Sequence, residues 1–150
     1  MTTDRARSIA TMIAGVVSMA VLYRVLIGLT KHFIAIPTAN GWLKYVHPHL
    51  PAESNISVML LNIIVHIFTA VPGAFIVTIF ARILFKRSIL PIAALAALLV
   101  LVLDKNVHYL LQNQYSEQVS VLLVSSLIAP FILMAFAFLT DIGKTPNQAL

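Results

Sequence analysis

Four long apolar runs, separated by short clusters of polar and charged residues, organise this chain. IATMIAGVVSMAVLYRVLIGLT covers 9–30 and ISVMLLNIIVHIFTAVPGAFIVTIFA covers 56–81. ILPIAALAALLVLVL begins at 89 and extends through DKNVHYLL to 111, and VSVLLVSSLIAPFILMAFAFLT covers 119–140. An α-helix needs about 20 residues to cross roughly 30 Å of hydrocarbon. The first, second and fourth runs meet that length unaided. The third has only 15 uninterrupted apolar residues, about 22 Å at 1.5 Å per residue. It spans only if Asp104 and its neighbours are drawn toward the membrane. The pattern predicts an all-α integral membrane protein. It would be one domain over 1–150, a four-transmembrane-helix bundle running up-down-up-down, with an outer loop at 31–55. The first run is too long for an ordinary signal-peptide core and no small-x-small cleavage site follows it, so it reads as a retained span.

Composition supports the same solvent. Sixty per cent of the residues are hydrophobic and 10% charged, and the mean hydropathy is +0.96. A soluble domain is about 45–50% apolar and about 25% charged, so this excess does not fit one small water-soluble core. The net charge of +5 does not point to nucleic acid, because the cations flank apolar runs and form no basic stripe with interleaved aromatics. They set orientation instead. With the N-terminus inside, the cytoplasmic side holds Arg5, Arg7, Arg82, Lys86, Arg87 and Lys144, against Lys31, Lys44 and Lys105 outside. That bias predicts both termini in the cytoplasm, with FKRS as a tight inner turn. No internal repeat is present, and the tail 140–150 reads as a short frayed end.

The stretch NIIVHIFTAVPG, 62–73, interrupts the second run with polar residues. Asn62, His66, Thr69 and Gly73 follow a four-three-four spacing and so share one helix face. Lipid gives such a face no partners, whereas neighbouring helices do, so it is expected to point inward. Pro72 and Pro130 are expected kink positions, each removing a backbone N–H, and Gly73 permits close helix approach. Depth adds to this. Arg24 lies 15 residues from Ile9, Asp104 15 from Ile89, His66 15 from Ala81 and Ser125 15 from Thr140. All four would sit about 22 Å from the inner boundary. The expected arrangement is an intramembrane polar layer of Arg24, Asn62, His66, Asp104 and Ser125 centred on an Arg24–Asp104 ion pair, since an isolated charge at depth costs roughly 3 kcal/mol. Competing readings are that Arg24 snorkels to the headgroups, that Asp104 and Lys105 begin the outer loop, or that Asp104 pairs with His108 four residues on.

Other chemistry is sparse. Ala10, Ala14 and Ser18 form a small-residue seam suited to helix packing. The loop holds Trp42, Tyr45 and Lys44, which suit the interface, while His32, His47, His49 and Glu53 lack a recognised zinc spacing. There is no cysteine, hence no disulfide, thiolate metal site or redox dithiol. No phosphate-binding loop, nucleophile elbow or metalloprotease motif occurs. No cofactor, metal site or catalytic residue is therefore expected. The leading functional reading is a non-enzymatic accessory or interaction protein of a bacterial-type inner membrane. Its expected partners are the lipid bilayer and another membrane protein or further copies of itself, with no nucleic acid. The alternative is a small transporter or channel component using Arg24, His66 and Asp104 as a proton or anion relay.

Overall fold

The structure, a computed structural model, describes residues 2–35, 55–85, 88–105, 107–108 and 119–142; the side chains of 55–62 and of Ser125 lie outside that description. The expectations for the loop at 36–54, including Trp42, Tyr45 and the HPH histidines, also fall outside it. The described residues form four helices and no strand. They are α1 (Thr2–Thr30), α2 (Asn55–Leu84), α3 (Leu90–Val102) and α4 (Val119–Ile142), with a π-helical turn at Lys31–Ala35 continuing α1. Two described stretches, Asp4–Phe33 and Ile63–Leu84, are long and apolar enough to cross a membrane by length and composition.

The helices pack in the cyclic order α1–α2–α4–α3, leaving α2 and α3 on one diagonal. Side-chain contacts fix their directions. Gly15 on α1 lies against Phe85 just beyond the end of α2, and Tyr23 lies against Gly73, so α1 and α2 are antiparallel. Phe75 of α2 meets Phe136 of α4 edge to face at 6.2 Å, and Arg82 reaches Thr140, so these two run parallel. Ser88 before α3 meets Asp141, while Asp104 after it meets Ser126, so α3 and α4 are antiparallel.

The core follows from small side chains. Eight of the fifteen buried apolar residues described are alanine, which lets backbones approach where no hydrophobic force drives helices together. On α3 the buried positions are Ile92, Ala93, Ala96, Ala97 and Val100, the three-four spacing of one helix face. On α2 the inward face is Thr69, Ala70, Gly73, Ala74, Val77, Thr78 and Ala81. A Cβ on Gly73 would lie 3.2 Å from the Tyr23 ring and 3.3 Å from Leu26 Cβ. A methyl there requires the Tyr23 ring or Leu26 to give by a few tenths of an ångström. Thr78 is buried without strain because its hydroxyl donates to the carbonyl of Ala74 on its own helix at 2.8 Å. Pro72 and Pro130 lie inside α2 and α4, and each helix runs on through its proline.

Large apolar side chains point outward instead. Ile83, Leu84 and Phe131 are each more than 70% exposed, and Phe68, Phe80 and Phe138 more than half. A water-soluble monomer seldom exposes contiguous apolar surface on this scale.

The third run departs from expectation. It does not continue as an unbroken helix past Asp104, because α3 ends at Val102 with Leu103 at φ −83° and ψ 0°. Asp104 itself supplies the reason. Its N–H turns back to the Leu101 carbonyl at 3.1 Å, and its own carbonyl accepts from the His108 N–H at 3.3 Å. It thereby opens a new helical turn, the position where aspartate is favoured.

Candidate functional site

Helix α3 has 13 residues, about 20 Å, and both of its ends are closed by charged side chains from other helices. Each helix terminus leaves backbone groups without intrahelical partners, and away from water these must be met by protein. The N-terminal end follows FKRS and carries Pro91 in its first turn, which removes one donor that needs a partner. Asp141, at the end of α4, meets two of the donors that remain. Its Oδ1 accepts from the Ile89 N–H at 3.4 Å and its Oδ2 from the Leu90 N–H at 3.2 Å. The Ser88 hydroxyl also donates to Oδ2. Arg82, from the last turn of α2, stands 4.0 Å from Oδ1 and donates to the Thr140 carbonyl. A carboxylate at a helix N-terminus lies where the peptide dipoles favour negative charge.

At the other end the sign reverses. The Asp104 amide turns to Leu101, which leaves the Val100 carbonyl without its usual donor. Arg24 of α1 fills the gap, its Nη1 donating to that oxygen at 3.1 Å. A cation at a helix C-terminus is the favourable complement. The ion pair described within 4.0 Å is Arg82–Asp141, and the described contact of Arg24 is to the Val100 carbonyl rather than to Asp104. The break in α3 leaves that carbonyl open one turn short of Asp104, where the guanidinium takes it.

The other members of the expected layer sort as follows. Asp104 is half-buried and its Oδ1 accepts from the Ser126 hydroxyl at 3.5 Å. Ser126, only 3% exposed, thus supplies on α4 the contact that depth counting assigned to Ser125, whose side chain is not described. His66 is half-buried on α2, and the Thr69 hydroxyl donates to its carbonyl at 2.9 Å. The side chain of Asn62 is not described. Among the described residues, no group of three or more His, Asp or Glu is placed to hold a metal.

One central residue has no counterpart in the sequence reading. Tyr23, next to Arg24, is fully buried, and its hydroxyl donates to the Ala129 carbonyl on α4 at 2.8 Å. That carbonyl precedes Pro130, where the helix ladder already lacks one N–H. Nor does the sequence reading bring Arg82, Ser88 and Asp141 together, although Arg82 three residues before FKRS, Ser88 at its close and an aspartate at the end of α4 are a readable signal.

The Arg24 contact is testable on its own. Arg24→Met keeps the apolar stem but leaves the Val100 carbonyl unpaired, which is expected to cost about 1–3 kcal/mol. Denaturant-detergent unfolding should show that loss, with Arg24→Lys recovering part of it. Comparison with protein-family models, curated proteins and solved structures gives no match for this chain.

Proposed function

We propose that the chain is a four-span, multi-pass protein of a bacterial-type inner membrane, with both termini cytoplasmic, acting as a non-enzymatic accessory protein through its outer helix faces. The observation that carries this reading is the division of chemistry between inside and outside. Described charged groups at the ends of α3 are engaged in capping backbone within the bundle. The outer faces carry the large apolar side chains, Phe68, Phe131 and Phe138 among them. A surface of that kind meets lipid or another apolar helix.

A third crossing gains support from the turn after Asp104. α3 alone covers about 20 Å at 1.5 Å per residue, and the turn that opens at Asp104 extends it toward the roughly 30 Å of hydrocarbon. The relay alternative draws less support, because the Arg24 guanidinium is already held by the Val100 carbonyl at 3.1 Å. A mobile proton or anion carrier needs a group that exchanges partners.

Two measurements decide between them. Crosslinking of the full chain in mild detergent is expected to capture a stoichiometric membrane-protein partner or further copies of the chain. Reconstituted vesicles are expected to show no pH-dependent flux. Flux that disappears in His66→Ala while the fold persists would overturn the accessory reading in favour of transport.

A further inference from the structure

A cleft of about 640 Å³ opens at the charged end of the bundle between α1, Phe85 and the start of α3, lined by Ser8, Thr11, Phe85, Ser88 and Pro91, among others. A second cleft of about 310 Å³ shares Thr11, Leu84 and Phe85 with the first and continues between the helices to Leu22. Ala14, Gly15 and Ser18 form its α1 wall, and Val77, Phe80 and Ala81 its α2 wall. Phe85 lies over Gly15 where this cleft begins, and beyond it the small side chains of Ala14 and Ser18 leave open the space beside Phe80. The Thr11 hydroxyl donates to the Arg7 carbonyl at 2.9 Å, so its polar atom is satisfied by its own helix. The walls are thus almost wholly apolar beyond the mouth.

Length and charge identify the occupant. From Thr11 to Leu22 the groove follows about 16 Å of helix, half of a hydrocarbon core of roughly 30 Å and so the depth of a single leaflet. A partner helix crossing the whole membrane would need a track twice as long. At the mouth, Arg5 lies three residues before Ser8 and so on the same face. Arg5 and Arg7 are both exposed, with Asp4 the acid on that turn. The carboxylate of Asp141 across the mouth is turned to the Ile89 and Leu90 amides. The net balance there is positive.

We infer that this groove holds one acyl chain of an anionic phospholipid of the inner leaflet, with its phosphate at Arg5, Arg7 and the Ser8–Ser88 mouth. The assignment rests on the membrane reading above and goes beyond it in naming a lipid class and a seat. Native mass spectrometry of the full chain, released from detergent in equal phosphatidylglycerol and phosphatidylcholine, tests it. One phosphatidylglycerol per chain is expected to be retained in preference. Arg5→Gln and Arg7→Gln should each lower that preference about fivefold, the worth of one cation near an anionic surface. Ala14→Phe and Ser18→Phe, at exposed positions on the groove wall, should abolish retention by filling the channel without entering the core. Equal retention of the two lipids, or unchanged retention in both phenylalanine variants, overturns the assignment. So does a second copy of the chain displaced by those variants in place of lipid. Vesicle flotation keeps the two readings apart. A chain that floats with neither lipid sinks the membrane reading, whereas one that floats with both but shows no selective retention sinks only the groove.

Discussion

Tyr23→Ala is expected to destabilise the bundle by about 3 kcal/mol, the largest single effect at any position in the core. Tyr23 is fully buried where α1, α2 and α4 converge, with its ring against the bare backbone of Gly73 and its hydroxyl on Ala129. Truncating a large buried aromatic costs about 3–5 kcal/mol in soluble proteins, part of it transfer and part the cavity left behind. On the membrane reading proposed above the transfer part shrinks, because the unfolded reference is then also out of water, and lost packing remains. The lower end of that range therefore applies. Tyr23→Phe separates the two contributions. It keeps the ring and removes one hydrogen bond, and should cost about 1 kcal/mol. Unfolding in mixed micelles measures both. If Phe costs as much as Ala, the hydroxyl rather than the ring holds this junction. Gly73→Ala should then lose part of its effect in a Tyr23→Ala background, since the atoms its Cβ would meet are gone.

Why Tyr23 escaped the sequence reading is informative about membrane chains. The limits of α2 and α4 and the end of α1 lie within three residues of the apolar runs, because length and hydrophobicity decide where such helices form, whereas α1 starts at Thr2, well before its run. The inward face of α2 was also readable at Thr69 and Gly73, since polar and small residues stand out against an apolar background. α1 offers no such contrast. Its apolar residues go all the way round, so no periodic stripe marks the side that packs. Position along the bundle axis was legible at one point, since Arg24 and Asp104 fall at the same end of α3. Rotation about the helix axis was not. A step of one residue turns a side chain by about 100°, more than counting along a helix resolves, and the α4 serine described on Asp104 is Ser126. Hydropathy treats α3 as continuous, whereas its ladder ends at Val102 and exposes a carbonyl, taken by Arg24, that no composition argument anticipates.

The second large effect concerns the opposite end. Asp141→Ala is expected to cost about 2–3 kcal/mol, and the acceptor function rather than the ion pair should account for most of it. Two observations weigh the contributions. The Arg82–Asp141 separation is 4.0 Å, and the two side chains keep 29% and 15% of their exposure. A pair that open to solvent contributes at most about 1 kcal/mol after screening. Against this, the carboxylate accepts from the Ile89 and Leu90 amides and from the Ser88 hydroxyl. Losing a cap of this kind costs about 0.5–2 kcal/mol, and bonds to a charged acceptor lie toward the upper part of that range. Asp141→Asn, which retains one acceptor oxygen, should therefore be milder than Asp141→Ala. Arg82→Met should be milder than either, and the coupling between the two sites should stay below about 1 kcal/mol. Amide hydrogen exchange gives the local readout, because Ile89 and Leu90 should lose protection in Asp141→Ala but keep most of it in Arg82→Met. The opposite ranking, with Arg82→Met the more damaging and the two amides unaffected by Asp141→Ala, would make the ion pair the anchor. α3 would then be held at that end by charge alone and not by hydrogen bonds to its first turn.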